Sequence, residues 1–118
     1  MWRVLLCAAL LVACGGREKV DSRGYTPTML EAARVCEEAL TAYVGNPRLR
    51  VQAGDVWPTA DGKHYTVGLH VAWLEADESI GSGVSLCNVG RGPHGVRLAA
   101  PIALSEAILA RWRNAGAE

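Results

Sequence analysis

Few side chains in the sequence could perform chemistry, and their spacing favours neither a catalytic group nor a metal site. Ser82 lies in a short Gly-Ser-Gly segment, which lacks the five-residue pattern of a hydrolase nucleophile elbow and is more typical of a hairpin turn. His64 and His70 stand on one face of a predicted strand but about 20 Å apart along an extended chain. One metal ion cannot bridge that distance. Since Ser82 also lacks the pattern of a nucleophile, we expect no catalytic residue, no metal and no cofactor.

A second set of residues is more typical of binding. Residues 90–95 are rich in glycine, and glycines allow backbone N–H groups to converge on an anion or a peptide. Arg91 and His94 add side-chain donors to this loop. Trp57 and Trp73 could anchor a partner if they are exposed, whereas core packing is the alternative for both. The sequence therefore predicts a candidate ligand or partner surface at Arg91, His94 and Trp73.

Residues 1–14 have the pattern of a targeting sequence. Arg3 gives a positively charged start, an apolar stretch follows, and Leu11-Val12-Ala13-Cys14 closes the segment. As a helix, the apolar run would be roughly 16 Å long, too short for a hydrocarbon layer of about 30 Å. We therefore expect residues 1–13 to be a signal peptide.

The closing tetrapeptide resembles the lipobox of bacterial lipoproteins, in which a small residue precedes an invariant cysteine. That resemblance implies cleavage before Cys14 and attachment of lipid to its thiol. Cys7 does not fit the pattern, because the bulky Leu6 precedes it. An ordinary secretory signal peptide or a buried helix is the alternative.

The residue after Cys14 bears on location. In the sorting rule of double-membrane bacteria, Asp at this position retains a lipoprotein in the inner membrane, and Gly15 stands there instead. The resemblance therefore implies a lipid-anchored protein on the periplasmic face of the outer membrane. We expect residues 14–27 to form a flexible tether, 28–114 a single domain and 115–118 a tail.

The overall charge excludes an electrostatic nucleic-acid binder. The chain has 118 residues with 12 Lys or Arg and 12 Asp or Glu, so its formal net charge is zero. Half of its residues are apolar, too many for a disordered chain. We expect the membrane as a partner through the lipid anchor, an envelope protein as a further partner, and no nucleic acid.

Removal of the signal peptide would leave Cys36 and Cys87 in the folded part. In an oxidising compartment, two cysteines allow one intramolecular disulfide. Cys36 lies on the apolar side of a predicted helix and Cys87 in a predicted central strand, so this bond would link helix to sheet. Two free buried thiols are the alternative.

Hydrophobic periodicity predicts a two-layer α+β domain. Thr28 and Glu31 have the spacing of a capping box, and the apolar stripe that follows predicts a helix over 28–44. Apolar alternation then predicts three or four strands, which the short connections make antiparallel. The predicted strands lie at 48–53, 64–73, 84–89 and 96–98, with turns at 75–83 and 90–95 and a terminal helix at 101–114.

Residues 30–90 also resemble a group of small exported bacterial domains with a single disulfide and no assigned activity. The matching positions are Cys36, Asn46-Pro47, Tyr65-Thr66-Val67-Gly68 and Cys87. This resemblance implies the fold and the disulfide. We therefore expect a non-catalytic lipoprotein that binds or supports another envelope component. The alternatives are an inhibitor or immunity-type lipoprotein acting on a periplasmic enzyme and, third, a small hydrolase.

Overall fold

The computed structural model describes residues 20–117, which form a helix, four strands and a second helix in that order. The elements are α1 (Pro27–Val44), β1 (Arg50–Pro58), β2 (His64–Leu74), β3 (Ile80–Gly92), β4 (Gly95–Leu98) and α2 (Glu106–Arg113). The strands form one antiparallel sheet in the order β1-β2-β3-β4. The predicted α+β fold is therefore confirmed. The predicted signal peptide and the predicted lipidation site at Cys14 lie outside the described residues.

Helix α1 begins at a different cap from the predicted one. The hydroxyl of Thr26 accepts a hydrogen bond from the N–H of Met29 at 3.2 Å, and Pro27 occupies the first helical position. Pro is favoured there because its missing N–H would have no partner within the helix. The predicted cap at Thr28 with Glu31 is wrong, since Thr28 lies inside the helix and is buried.

The loop after α1 ties the two helices together. Gly45 takes the left-handed conformation with φ of 71° and ends the helix, as its residue type predicts. The side chain of Asn46 is buried, and its Nδ2 donates to the carbonyl oxygens of Trp112 and Ala115, each at 2.9 Å. Its Oδ1 accepts from the N–H of Arg48 at 3.0 Å. One asparagine therefore joins the end of α1 to the end of α2.

The core lies between the helices and one face of the sheet. The buried residues of α1 recur every four positions, and those of β2 every second position, so the predicted alternation in β2 is confirmed. They are Thr28, Ala32, Cys36, Leu40 and Val44 in α1, and Tyr65, Val67, Leu69, Val71 and Trp73 in β2.

A disulfide joins Cys36 of α1 to Cys87 of β3, as the sequence predicts. The two Cα atoms are 5.9 Å apart, and both residues are buried. Val67, which pairs directly with Cys87 in the sheet, is also fully buried. The bond therefore crosses the layer between helix and sheet near its centre.

Strand β3 begins earlier than predicted, and the Gly-Ser-Gly segment lies in the strand. The turn covers only residues 75–79, and the predicted turn over 75–83 is wrong. A Cβ added at Gly81 would lie 2.2 Å from the Trp73 ring, and one added at Gly83 would lie 2.7 Å from the Trp112 ring. The two glycines are therefore needed because the indole rings pack directly on the strand.

Helix α2 is shorter than the predicted helix over 101–114. Ser105 caps it by accepting from the N–H of Ile108 at 3.2 Å. The preceding residues have no regular structure, although Ile102 and Leu104 pack against the core. Because the buried Trp112 packs on Gly83, α2 covers the same face of the sheet as α1.

The residues before α1 are attached to β1. Asp21 and Tyr25 close a short turn, in which the Asp21 N–H donates to the Tyr25 carbonyl oxygen at 2.8 Å. The Tyr25 hydroxyl then donates to the carbonyl oxygen of Gly54 at 3.0 Å. The last residues of the predicted tether therefore lie against the sheet.

Removing the disulfide should destabilise the domain strongly. Cys36 and Cys87 are 51 positions apart, and closing a loop of that length is worth about 4 kcal/mol in the chain-entropy description. We expect the double variant Cys36→Ala with Cys87→Ala to lose about this free energy of unfolding in equilibrium urea titrations. As a control, adding a reductant should destabilise the unmodified protein and leave the double variant unchanged. Equal stability of the oxidised and reduced protein would contradict this account.

Candidate functional site

The helices cover one face of the sheet, and nothing else in the described part of the chain covers the other. We call this second surface the open face. Along β2 and β3 its side chains come from even-numbered residues, because alternate residues of a strand point to opposite sides. Its members are Arg50, Gln52 and Trp57 from β1, His64, Thr66, Gly68, His70, Ala72 and Leu74 from β2, and Ile80, Ser82, Val84, Leu86 and Asn88 from β3.

Large apolar side chains are exposed on the open face. Their exposed fractions are 47% for Trp57, 62% for Leu74, 75% for Ile80, 70% for Val84 and 67% for Leu86. Leu74 and Ile80 are direct cross-strand neighbours, and Leu86 lies opposite Gly68, on which Trp57 rests. Grouped apolar residues on a surface mark an interaction site more often than single ones do. The open face is therefore the candidate functional site.

A β-bulge places Trp57 on this face. Between Ala53 and Val56 the register of β1 against β2 shifts, so that two residues of β1 stand opposite Gly68. The extra residue reverses the alternation, which keeps Val56 buried and turns Trp57 away from the helices. The sequence interpretation ended this strand at Ala53 and missed this effect. The only signal in the sequence is Gly54, a residue that often marks a bulge.

The ring of Trp57 forms one wall of a cleft on the open face. A Cβ added at Gly68 would lie 3.3 Å from this ring, so the indole packs directly over that glycine. Val84 and Leu86 form the opposite wall, and the cleft has a volume of about 310 Å³. Asp55 and His70 also line this cleft. A cleft with this lining suits a side chain of a partner that is apolar along its length and polar at its end.

The end of the open face near His64 is polar. His64 Nδ1 lies 3.0 Å from Asp61 Oδ2, and the Thr66 hydroxyl donates to Asn88 Oδ1 at 2.8 Å. The hydroxyl of Thr59 and the N–H of Lys63, together with the ring of His64, hold the pKa of Asp61 far below its usual value. Within residues 20–117, no three side chains of His, Cys, Asp or Glu come together in a way that could hold a metal ion.

The structure brings two of the three predicted surface residues together. Arg91 and His94 lie at the hairpin between β3 and β4, where they line a pocket of about 270 Å³ with Arg97. The predicted loop over 90–95 is shorter in the structure, since β3 continues to Gly92 and pairs there with Gly95. This pocket is the place in the fold that corresponds to the predicted anion or peptide site.

Trp73 lies at the other end of the sheet and is only 4% exposed. Its indole N–H donates to the carboxylate of Glu75, and the Arg111 guanidinium lies 5.6 Å from its ring. Core packing, the alternative that the sequence left open, therefore describes Trp73. Trp57 is the more exposed of the two tryptophans considered.

The sequence interpretation missed the exposed residues of β3. Residues 84–89 are apolar on both faces, a pattern typical of a strand that is buried on both sides. In the structure only Cys87 and Val89 of this segment are buried, while Val84 and Leu86 are exposed. The apolar run therefore contributes residues to both faces of the sheet. Those on one face are buried under the helices, and those on the open face are exposed.

Comparison with protein families, with curated proteins and with solved structures finds no match to this chain. Within residues 20–117, no helix combines the length and the apolar character that crossing a membrane requires. The open face and the amino-acid sequence before residue 20 are therefore the features of this chain that bear on its function.

Proposed function

We propose that this chain is a small membrane-anchored lipoprotein of the bacterial envelope, which binds another envelope component through its open face and catalyses no reaction. The observation that carries the proposal is the one-sided burial of the sheet. Both helices pack on one face, and large apolar side chains of three strands remain exposed on the other. Such a surface is stabilised by a partner that removes it from water.

Two further features support an exported, anchored protein. The lipobox-like residues 11–14 provide Cys14 as the acceptor of lipid. The disulfide between Cys36 and Cys87 is of a kind that persists in oxidising compartments such as the periplasm. Because residues 21–25 already lie against the sheet, the free tether would be short and the domain would stay near the bilayer.

The composition of the open face indicates a protein partner. Tryptophan is among the residues that most often dominate the binding energy of protein interfaces. Trp57 combines a large exposed ring with a fixed position, because it packs over Gly68. Asp55 and His70 would orient a polar group of the partner beside this anchor.

Lipid attachment tests the anchoring part of the proposal. We expect metabolic labelling with palmitate to mark the protein, and the Cys14→Ser variant to lose the label, because the lipid is attached through that thiol. The Cys7→Ser variant is the matched control and should keep it, since Leu6 breaks the pattern before Cys7. Equal labelling of the Cys14→Ser variant and the unmodified protein would refute the lipoprotein assignment.

Site-specific photo-crosslinking tests the binding surface. We expect a photoreactive amino acid in place of Trp57 to give a discrete crosslinked product with a different protein in intact envelopes. The same amino acid in place of Arg34, which is exposed on α1, should not give that product. A product containing a periplasmic enzyme would specify the inhibitor alternative. Identical products from both positions, or none from position 57, would contradict the proposed binding surface.

A further inference from the structure

The edge of the sheet beside β3 is unpaired over much of its length. Strand β4 pairs only with residues 89–92, and the last backbone bond on that side runs from the Ala99 N–H to the Asn88 carbonyl oxygen at 2.9 Å. Pro101, which has no N–H to donate, follows soon after. The chain then leaves the sheet, and Pro101 and Ile102 lie beside α1 near Tyr43. In the described part of the chain, residues 80–87 therefore have a strand partner on the β2 side only.

The backbone groups along this edge belong to alternate residues. Since the carbonyl oxygen of Asn88 faces β4, the N–H and C=O groups of Leu86, Val84 and Ser82 face the same side. In the described residues these groups have no backbone hydrogen-bond partner. They form a template on which one more antiparallel strand can add.

The two edges of the sheet differ in how they are protected. At β1, the Ala53 N–H donates to the Glu37 carboxylate at 2.7 Å, and the Tyr25 hydroxyl occupies the carbonyl oxygen of Gly54. That strand also carries the bulge and ends in Pro58. Residues 80–90, in contrast, contain no charged side chain and no proline. The β3 edge therefore lacks the charges, the proline and the bulge that commonly prevent strand addition.

We propose that two copies of this chain associate through their β3 edges, with the strands antiparallel about a two-fold axis. The register that uses the whole free segment places Ser82 opposite Val84 of the second copy, and Ile80 opposite Leu86. Within residues 80–86, each N–H and C=O group that faces away from β2 then has a hydrogen-bond partner in the second copy. Ile80 of each copy also lies opposite Leu86 of the other, which gives two apolar cross-strand pairs. This interface goes beyond the proposed function, since it lies at the sheet edge and does not need the anchor.

Charge complementarity favours a second copy as the occupant. In the antiparallel arrangement, the turn before β3 of one copy lies at the same end as the hairpin after β3 of the other. The turn carries Glu75, Asp77 and Glu78, whereas the hairpin carries Arg91 and Arg97. Acidic residues of one copy and basic residues of the other would therefore lie at the same end, on both sides of the uncharged segment. The two sheets would become one sheet of eight strands with both open faces on the same side.

The oligomeric state tests this proposal. We expect sedimentation equilibrium of the full chain in a density-matched detergent to give twice the mass of one copy at micromolar concentration. The Ser82→Pro variant should be monomeric, because it removes an N–H that faces the edge and leaves the bonds to β2 intact. The Val84→Lys variant should also be monomeric, because it introduces like charges beside the two-fold axis. The matched control is Ala72→Lys, one strand further in on the same face, which should remain dimeric.

Amide hydrogen exchange provides a second measurement that does not depend on the variants. The amides of Ser82, Val84 and Leu86 should exchange roughly tenfold more slowly, or slower still, in concentrated than in dilute protein, because only the dimer protects them. The amides of Gly83 and Ser85, which face β2, should show no such dependence. A monomeric mass at micromolar concentration would overturn the proposal. A dimer that survives both β3 substitutions, or edge amides that exchange fast at every concentration, would overturn it as well.

Discussion

Within residues 20–117 the sheet is covered on one side only, and the disulfide between Cys36 and Cys87 holds α1 on that side. The bond connects α1 to β3 through the centre of the buried layer, where the surrounding side chains are fully removed from water. A domain of fewer than a hundred residues buries a smaller share of its surface than a larger domain does, and disulfides often compensate for this. With α1 held in this position, Asn46 can bind the end of α2 and bring Trp112 onto the same face.

The absence of phenylalanine shapes how this single layer is filled. Trp73 and Trp112 are the largest buried side chains, and each packs on a glycine of β3 that has no Cβ to obstruct it. The same device appears on the open face, where Trp57 packs over Gly68. Indole rings therefore pack directly against strand glycines on both sides of the sheet. On the helix side this fills the core, and on the open side it leaves a fixed apolar surface next to a cleft.

Sequence reasoning predicts the features that depend on local periodicity. The alternation along β2, the end of α1 at Gly45 and the link between Cys36 and Cys87 follow from patterns within a few residues or from cysteine number. Three of the errors have tertiary causes. The Gly-Ser-Gly segment has the composition of a turn, but its glycines are required by indole rings from distant parts of the chain. The exposure of Trp57 depends on a one-residue bulge, which no alternation pattern in β1 shows. The exposure of Val84 depends on which face of the sheet residues 20–117 leave uncovered, and this cannot be inferred from one strand.

The central claim is that the open face binds a partner in the native envelope. Hydroxyl-radical labelling of Trp57 measures its solvent exposure directly, and Tyr43 on α1 provides an internal reference in the same molecule. We predict that the labelling rate of Trp57 relative to Tyr43 is several-fold lower in intact envelopes than in the purified protein. An equal ratio in the two preparations would show that the open face stays exposed to water, and it would contradict the account.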